Sequence, residues 1–209
     1  MKFVQIDSSI LDDSYALTNG HAGLDEKYIK IITNWVRNYL CKPHSKLGRA
    51  GPVCPFTAPA VQLGQIWAAV APKTIDTIES LTQISLQGKK FFQNAPENES
   101  EPKYYKAAMI LFPHLNTHQG HTIIETIQRQ LKPVFLADGL MFGQFYQGCP
   151  EPGLSNPMFR PLFSPIPLLA IRYMVASDIA FLKHDPNMME YYNFYIPEAN
   201  IAADERRAS

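Results

Sequence analysis

Residues 64–71 read "GQIWAAVA", and this stretch decides the fold. Ile66, Ala68 and Val70 alternate with Trp67 and Ala69, the period of a β-strand. Pro72 ends the strand, since it has no N–H to give a ladder. Three further strands follow along the chain: "YYKAAMILF" (Tyr104–Phe112), "LMFGQFY" (Leu140–Tyr146) and "LLAIRYMV" (Leu168–Val175). Between the first two, Thr74 is placed to cap a helix over 75–92, with Asp76 and Glu79 in its early turns. Between the second and third lies "HTIIETIQRQL". There Ile123, Ile124, Ile127 and Leu131 share a face, and Pro133 bends or ends the helix. Upstream, "LDEKYIKIITNWVRNYL" (Leu24–Leu40) repeats apolar residues at helical spacing, with Asp25 and Glu26 in the first turn where the dipole favours them. Downstream, Asp185 followed by Pro186 opens a last helix.

The order is α, β, α, β, α, β, β, α. Strands separated by helices run parallel through right-handed crossovers. The fourth strand follows a Pro-rich loop with no helix, so it is expected antiparallel. The expected class is α+β, or α/β on a looser reading: a mixed, roughly four-stranded sheet with helices mainly on one face. A ferredoxin-like arrangement is the alternative and needs one more strand. Residues 1–22 read as an irregular leader, 23–200 as one domain and 201–209 as a flexible tail.

Composition narrows the function classes. Apolar residues make up 46% and charged residues 18%, a globular balance. Nineteen basic and nineteen acidic residues cancel, so nucleic acid and anionic membrane are not expected partners. No apolar run has membrane-spanning length, the N-terminus does not read as a signal peptide, and three widely spaced cysteines make no disulfide framework. A reducing cytoplasm is the expected compartment.

"RAGPVCPFTAPA" (Arg49–Ala60) holds Cys54 among three prolines. The prolines exclude helix and central strand, so the segment reads as a stiff loop. Three readings stand for Cys54. It is a small packed thiol, a nucleophile activated by Arg49 or His44, or a haem-iron thiolate. The haem reading rests on Cys-Pro dipeptides at Cys54–Pro55 and Cys149–Pro150, in which proline removes a local donor and turns the sulfur outward. Parallel strands place ligands at their carboxyl ends. That rule brings His114, His118, Tyr146, Cys149 and Glu151 to one rim, with Arg160 on the adjoining loop. His114, His118 and His121 match no metal-binding template, so no metal site is assigned. Arg172 interrupts an apolar strand and wants a carboxylate, from Glu151, from Asp178 or from a ligand.

"LGRAGPVCPF" (Leu47–Phe56), "GLMFGQFYQGCPEPGL" (Gly139–Leu154) and "FRPLFSPIPLLAIRYMV" (Phe159–Val175) together resemble a bacterial family of domains of unknown function. The resemblance spans roughly 44–182. It implies no known activity, but does imply an association with natural-product biosynthesis genes. It also implies histidines near Tyr146 and Tyr173 in relatives, so histidine catalysis at those positions is in doubt here.

The expected function is a small-molecule enzyme of the secondary-metabolism type, haem- or thiol-dependent. Cys54, Tyr146 and Arg160 would carry the chemistry, and Arg49, Arg172, Glu151 and His114 would line the pocket. The alternative is a non-catalytic accessory protein, perhaps dimeric, that docks a partner enzyme through "MMEYYNFY" (188–195).

Overall fold

Residues 1–6 and 24–197 are described in a computed structural model of the chain. The alternation that marks 64–71 as a strand is also what places it between two apolar layers. Strand β2 (Ile66–Val70) sends Trp67 towards Phe91 of helix α3 (Ile78–Asn94), while Ile66, Ala68 and Val70 join the core on the opposite face. Strand β3 (Ala107–Leu111) lies parallel to β2. Its Ala108 and Ile110 pack under α3 and α4 (His118–Leu136), and its Met109 and Leu111 turn to α1 (Leu24–Trp35). Strands β4 (Leu140–Phe145) and β5 (Leu168–Tyr173) complete that sheet, β5 running antiparallel to both β3 and β4.

The observed sheet is mixed and has the order β1-β2-β3-β5-β4. The α+β class and the antiparallel fourth strand are as the sequence predicts. The fifth strand is β1 (Val4–Gln5), which pairs antiparallel with Trp67 and Ala68. It lies inside the expected leader, too short to show a period of two. The rest of that leader, and the expected tail 201–209, fall outside the described residues. The main run is βαβαββ rather than βαββαβ, so the arrangement is not ferredoxin-like.

Helices cover both faces. The two long ones, α3 and α4, share one face; α1 and the short α2 (Thr57–Gln62) lie on the other, where Ile29, Ile32, Trp35 and Ala60 are buried. α1 passes directly into one π-helical turn, Val36–Leu40. α2 corrects the expectation that Arg49–Ala60 holds no helix. Pro59 falls in its first turn, where an N–H has no intrahelical acceptor and its loss costs nothing.

Two helix ends also differ from expectation. Thr77, not Thr74, caps α3: Ser80 N–H donates to Thr77 Oγ1 at 3.2 Å and Thr77 N–H to Ser80 Oγ at 3.1 Å. Two donors satisfied reciprocally outweigh a single threonine cap. α4 continues through Pro133 to Leu136, because Arg129, whose carbonyl loses its partner, is exposed to water. α5 (Ile179–Leu182) and α6 (Pro186–Tyr195) follow β5, with Asp185 Oδ1 accepting from Asn187 and Met188 as predicted.

Candidate functional site

β2, β3 and β4 point the same way, so their carboxyl ends share one rim. The residue leaving β4 is Tyr146, buried at 4% exposure on the α4 side of the sheet. Its hydroxyl donates to Glu125 Oε1 of α4. The His121 ring, one helical turn before Glu125, stacks on the Tyr146 ring with centroids 4.3 Å apart and planes 27° from parallel. His121 Nε2 makes a long 3.4 Å contact with Asn116 Oδ1. Cys149 sits beside it, 1% exposed, with the Glu151 N–H turned to its sulfur.

The local sequence explains this grouping. Thr117 caps α4 by accepting from Gly120 N–H at 3.0 Å, which fixes the first turn that carries His121. Gly120 is forced: a Cβ there would lie 2.2 Å from the Leu115 carbonyl oxygen. Pro150 has no N–H, so Glu151 supplies the first main-chain donor able to reach back to Cys149.

Burial, then the Glu125 carboxylate, push the Tyr146 phenol far above the ordinary tyrosine range, so it stays protonated. Burial also pushes the Cys149 thiol up, against the pull of the Glu151 N–H. For His121 burial lowers the pKa, and the nearby Glu125 recovers only part of the shift. Near neutral pH the cluster is therefore a neutral phenol, a thiol and an uncharged imidazole.

The other predicted residues are placed as follows. His114 lies on the same rim and its Nε2 bonds the Ile75 carbonyl at 2.8 Å. Glu151 is exposed there. Arg160, also exposed, bonds the carbonyls of Pro157 and Phe159 within its own loop. Arg49 does the same with Ala50 and Val53. Arg172 is held by Asp178 through two hydrogen bonds, at 2.7 and 2.5 Å, which answers its need for a carboxylate within the protein. Cys54 is half-buried against the α1-side core, so the sheet stands between it and Tyr146. Cys54, Tyr146 and Arg160 are not brought together. Nor does the proline after Cys149 turn that sulfur outward, since Cys149 is buried.

The loop around Cys54 does pack on the Pro-rich segment. His44 lies 4.5 Å from the Phe159 ring, and Asn156 Nδ2 donates to the Lys46 carbonyl at 2.8 Å. A cleft of about 380 Å³ opens elsewhere, lined by Met1, Lys2, Val4, Asp25, Ile29, Val70 and Pro72. None of the predicted site residues lines it. Among the described residues, no three His, Cys, Asp or Glu side chains form a group able to hold a metal ion, and no helix is long and apolar enough to cross a membrane.

Glu125 is the residue that sequence reading missed. On its own it is an ordinary acid on a helix surface. Its signal is the spacing His121-x-x-x-Glu125, which puts an imidazole and a carboxylate on one helical face.

Residues 29–206 match the model of one protein family, described as a domain of unknown function (DUF6875). No curated protein and no solved structure matches the chain.

Proposed function

We propose a small-molecule enzyme function for this chain, which belongs to the family described as a domain of unknown function (DUF6875). The observation that carries the proposal is the Tyr146–Glu125 hydrogen bond at the carboxyl rim of the sheet, with His121 stacked on it. Rims of this kind are where α/β sheets take ligands. The reaction class is proton abstraction. Tyr146 stays protonated and fixes one oxygen of Glu125, leaving the second oxygen to accept a proton from a bound molecule. His121 forms the neutral wall beside it. In this reading Tyr146 stays in the site as the residue that positions Glu125, while Cys54 and Arg160 pass out of it. The assignment to secondary metabolism rests on the family resemblance alone.

The test is a thermal-shift screen of the full chain against a panel of small metabolites. Hits are then repeated on Glu125→Gln and Tyr146→Phe. Hits that stabilise the parent protein but not Glu125→Gln, and that perturb the His121 ring resonances, support the reading. Hits that stabilise all three proteins equally overturn it.

A second reading, a docking or accessory protein, is favoured by Phe194, which is 76% exposed on α6. A dimer in sedimentation that Phe194→Asp converts to monomer would support it. A monomer at all concentrations would remove its homodimer form.

A further inference from the structure

Cys41 ends the π-helical turn and Cys54 sits in the Pro-rich loop, and both are free thiols. The two segments run antiparallel to one another. Val53 N–H donates to the Lys42 carbonyl at 2.9 Å, Cys54 N–H donates to the Leu40 carbonyl at 2.9 Å, and Pro43 forms a bridge with Pro52. The amide of Cys54 therefore bonds the very peptide that links Leu40 to Cys41. Continuing from the Pro43–Pro52 bridge past the Val53–Lys42 bond brings Cys54 to the Leu40–Cys41 peptide, and neighbouring extended segments lie about 4.7–4.9 Å apart. A disulfide spans Cα separations of about 4.4–6.8 Å. Both side chains pack against the same α1-side core. Each is half-buried, open enough for a small oxidant and enclosed enough to favour the neighbouring thiol over a second oxidant molecule. Burial, and then the closeness of Cys54, raise the pKa of the Cys41 thiol.

We propose that Cys41 and Cys54 are a redox-active dithiol that closes to a disulfide when it meets a low-molecular-weight disulfide. One cysteine, as thiolate, attacks the oxidant, forming a mixed disulfide and releasing one small thiol. The second attacks the protein sulfur of that mixed disulfide and releases the other small thiol. Two protein thiols are oxidised, one disulfide is reduced to two thiols, and the two protons leave with them. The closed form ties the end of the π-helical turn to the loop that packs on the Pro-rich segment. Cys149, on the α4 side and 1% exposed, takes no part.

The full chain is incubated with oxidised glutathione, its remaining thiols are alkylated, and it is denatured and digested with trypsin without reduction. Cleavage after Arg37 and Lys46 releases residues 38–46 with Cys41, because Lys42 precedes Pro43 and resists the enzyme. Cleavage after Arg49 and Lys73 releases residues 50–73 with Cys54. The expected product is these two peptides joined, two hydrogens lighter than their sum. In Cys41→Ser, Cys54 should instead retain one glutathione; Cys54→Ser gives the reciprocal test if the first variant does not fold. Separate peptides, each bearing glutathione or each only alkylated, overturn the proposal, as does a crosslink through Cys149.

Discussion

The His121 ring lies on the Tyr146 ring at 4.3 Å, and Glu125 reaches both, one by hydrogen bond and the other through its charge. Burial lowers the His121 pKa below the ordinary value of 6.5, while Glu125 raises it part of the way back. Between the folded and unfolded values the unfolded chain binds more protons. The contribution of this site to stability is therefore full above about 6.5 and falls as pH drops through the folded value. Glu125→Gln should lower the His121 pKa further. An NMR titration of the imidazole resonances checks this, and an unchanged or higher value would refute it.

Acid should strike a second place. Burial favours the neutral form of Glu97, but hydrogen bonds from Tyr173 and Lys106 outweigh it and hold the carboxyl below its ordinary 4.5. Tyr173 Oη and Lys106 Nζ approach Glu97 Oε1 at 2.6 and 2.9 Å. This stabilisation is present above the unfolded value and lost as pH falls through the folded one. Urea titrations between pH 6 and about pH 3, the acid side of the carboxylate range, should show a shallower decline for Glu97→Gln than for the parent.

Asp178 is fully buried and takes both guanidinium bonds of Arg172 together with the Val175 N–H at 2.9 Å. Asp178→Ala leaves the guanidinium without its carboxylate. The expected loss is about 1.5–3 kcal/mol in a denaturant titration, the range for hydrogen bonds to charged groups.

Gly120→Ala drives a methyl into the Leu115 backbone, which cannot swing aside as a side chain would. It should cost about 1–3 kcal/mol, the range for overpacking. The displaced first turn of α4 should also shift the His121 resonances, which a merely global loss of stability would not do in the native state.

Trp35 is 6% exposed and packs edge-on against Phe145 at 5.8 Å. Trp35→Ala should cost about 3–5 kcal/mol, as for large core aromatics. A chemical denaturation curve decides it; a loss under about 1 kcal/mol, the level of an ordinary surface change, would place α1 outside the core.

What the sequence makes legible follows from the range over which each signal acts. The alternation in 64–71 and the Asp185–Pro186 cap act within a few residues, and both strand and cap form where predicted. The common rim of β2, β3 and β4 follows from the helical crossovers that return the chain parallel to itself, a rule of connection that needs no contact information. Glu125 carries no local mark, because its partner Tyr146 is 21 residues away and on another element. The grouping of Cys54 with Tyr146 fails for a related reason. Loop residues near each other on a topology diagram can still lie on opposite faces of a sheet. The helix starting at Thr57 was hidden by prolines, whose cost depends on which turn they occupy.

Because β5 runs against β4, Phe145 and Leu168 are paired partners, and the chain between them leaves and re-enters the sheet at the same place. That excursion carries Cys149, Glu151 and Arg160. Its two ends are pinned by the ladder whatever its length, and a longer loop of this kind costs little extra entropy. Insertions and deletions within 147–166 can thus redraw the rim beside Tyr146 while every strand keeps its register.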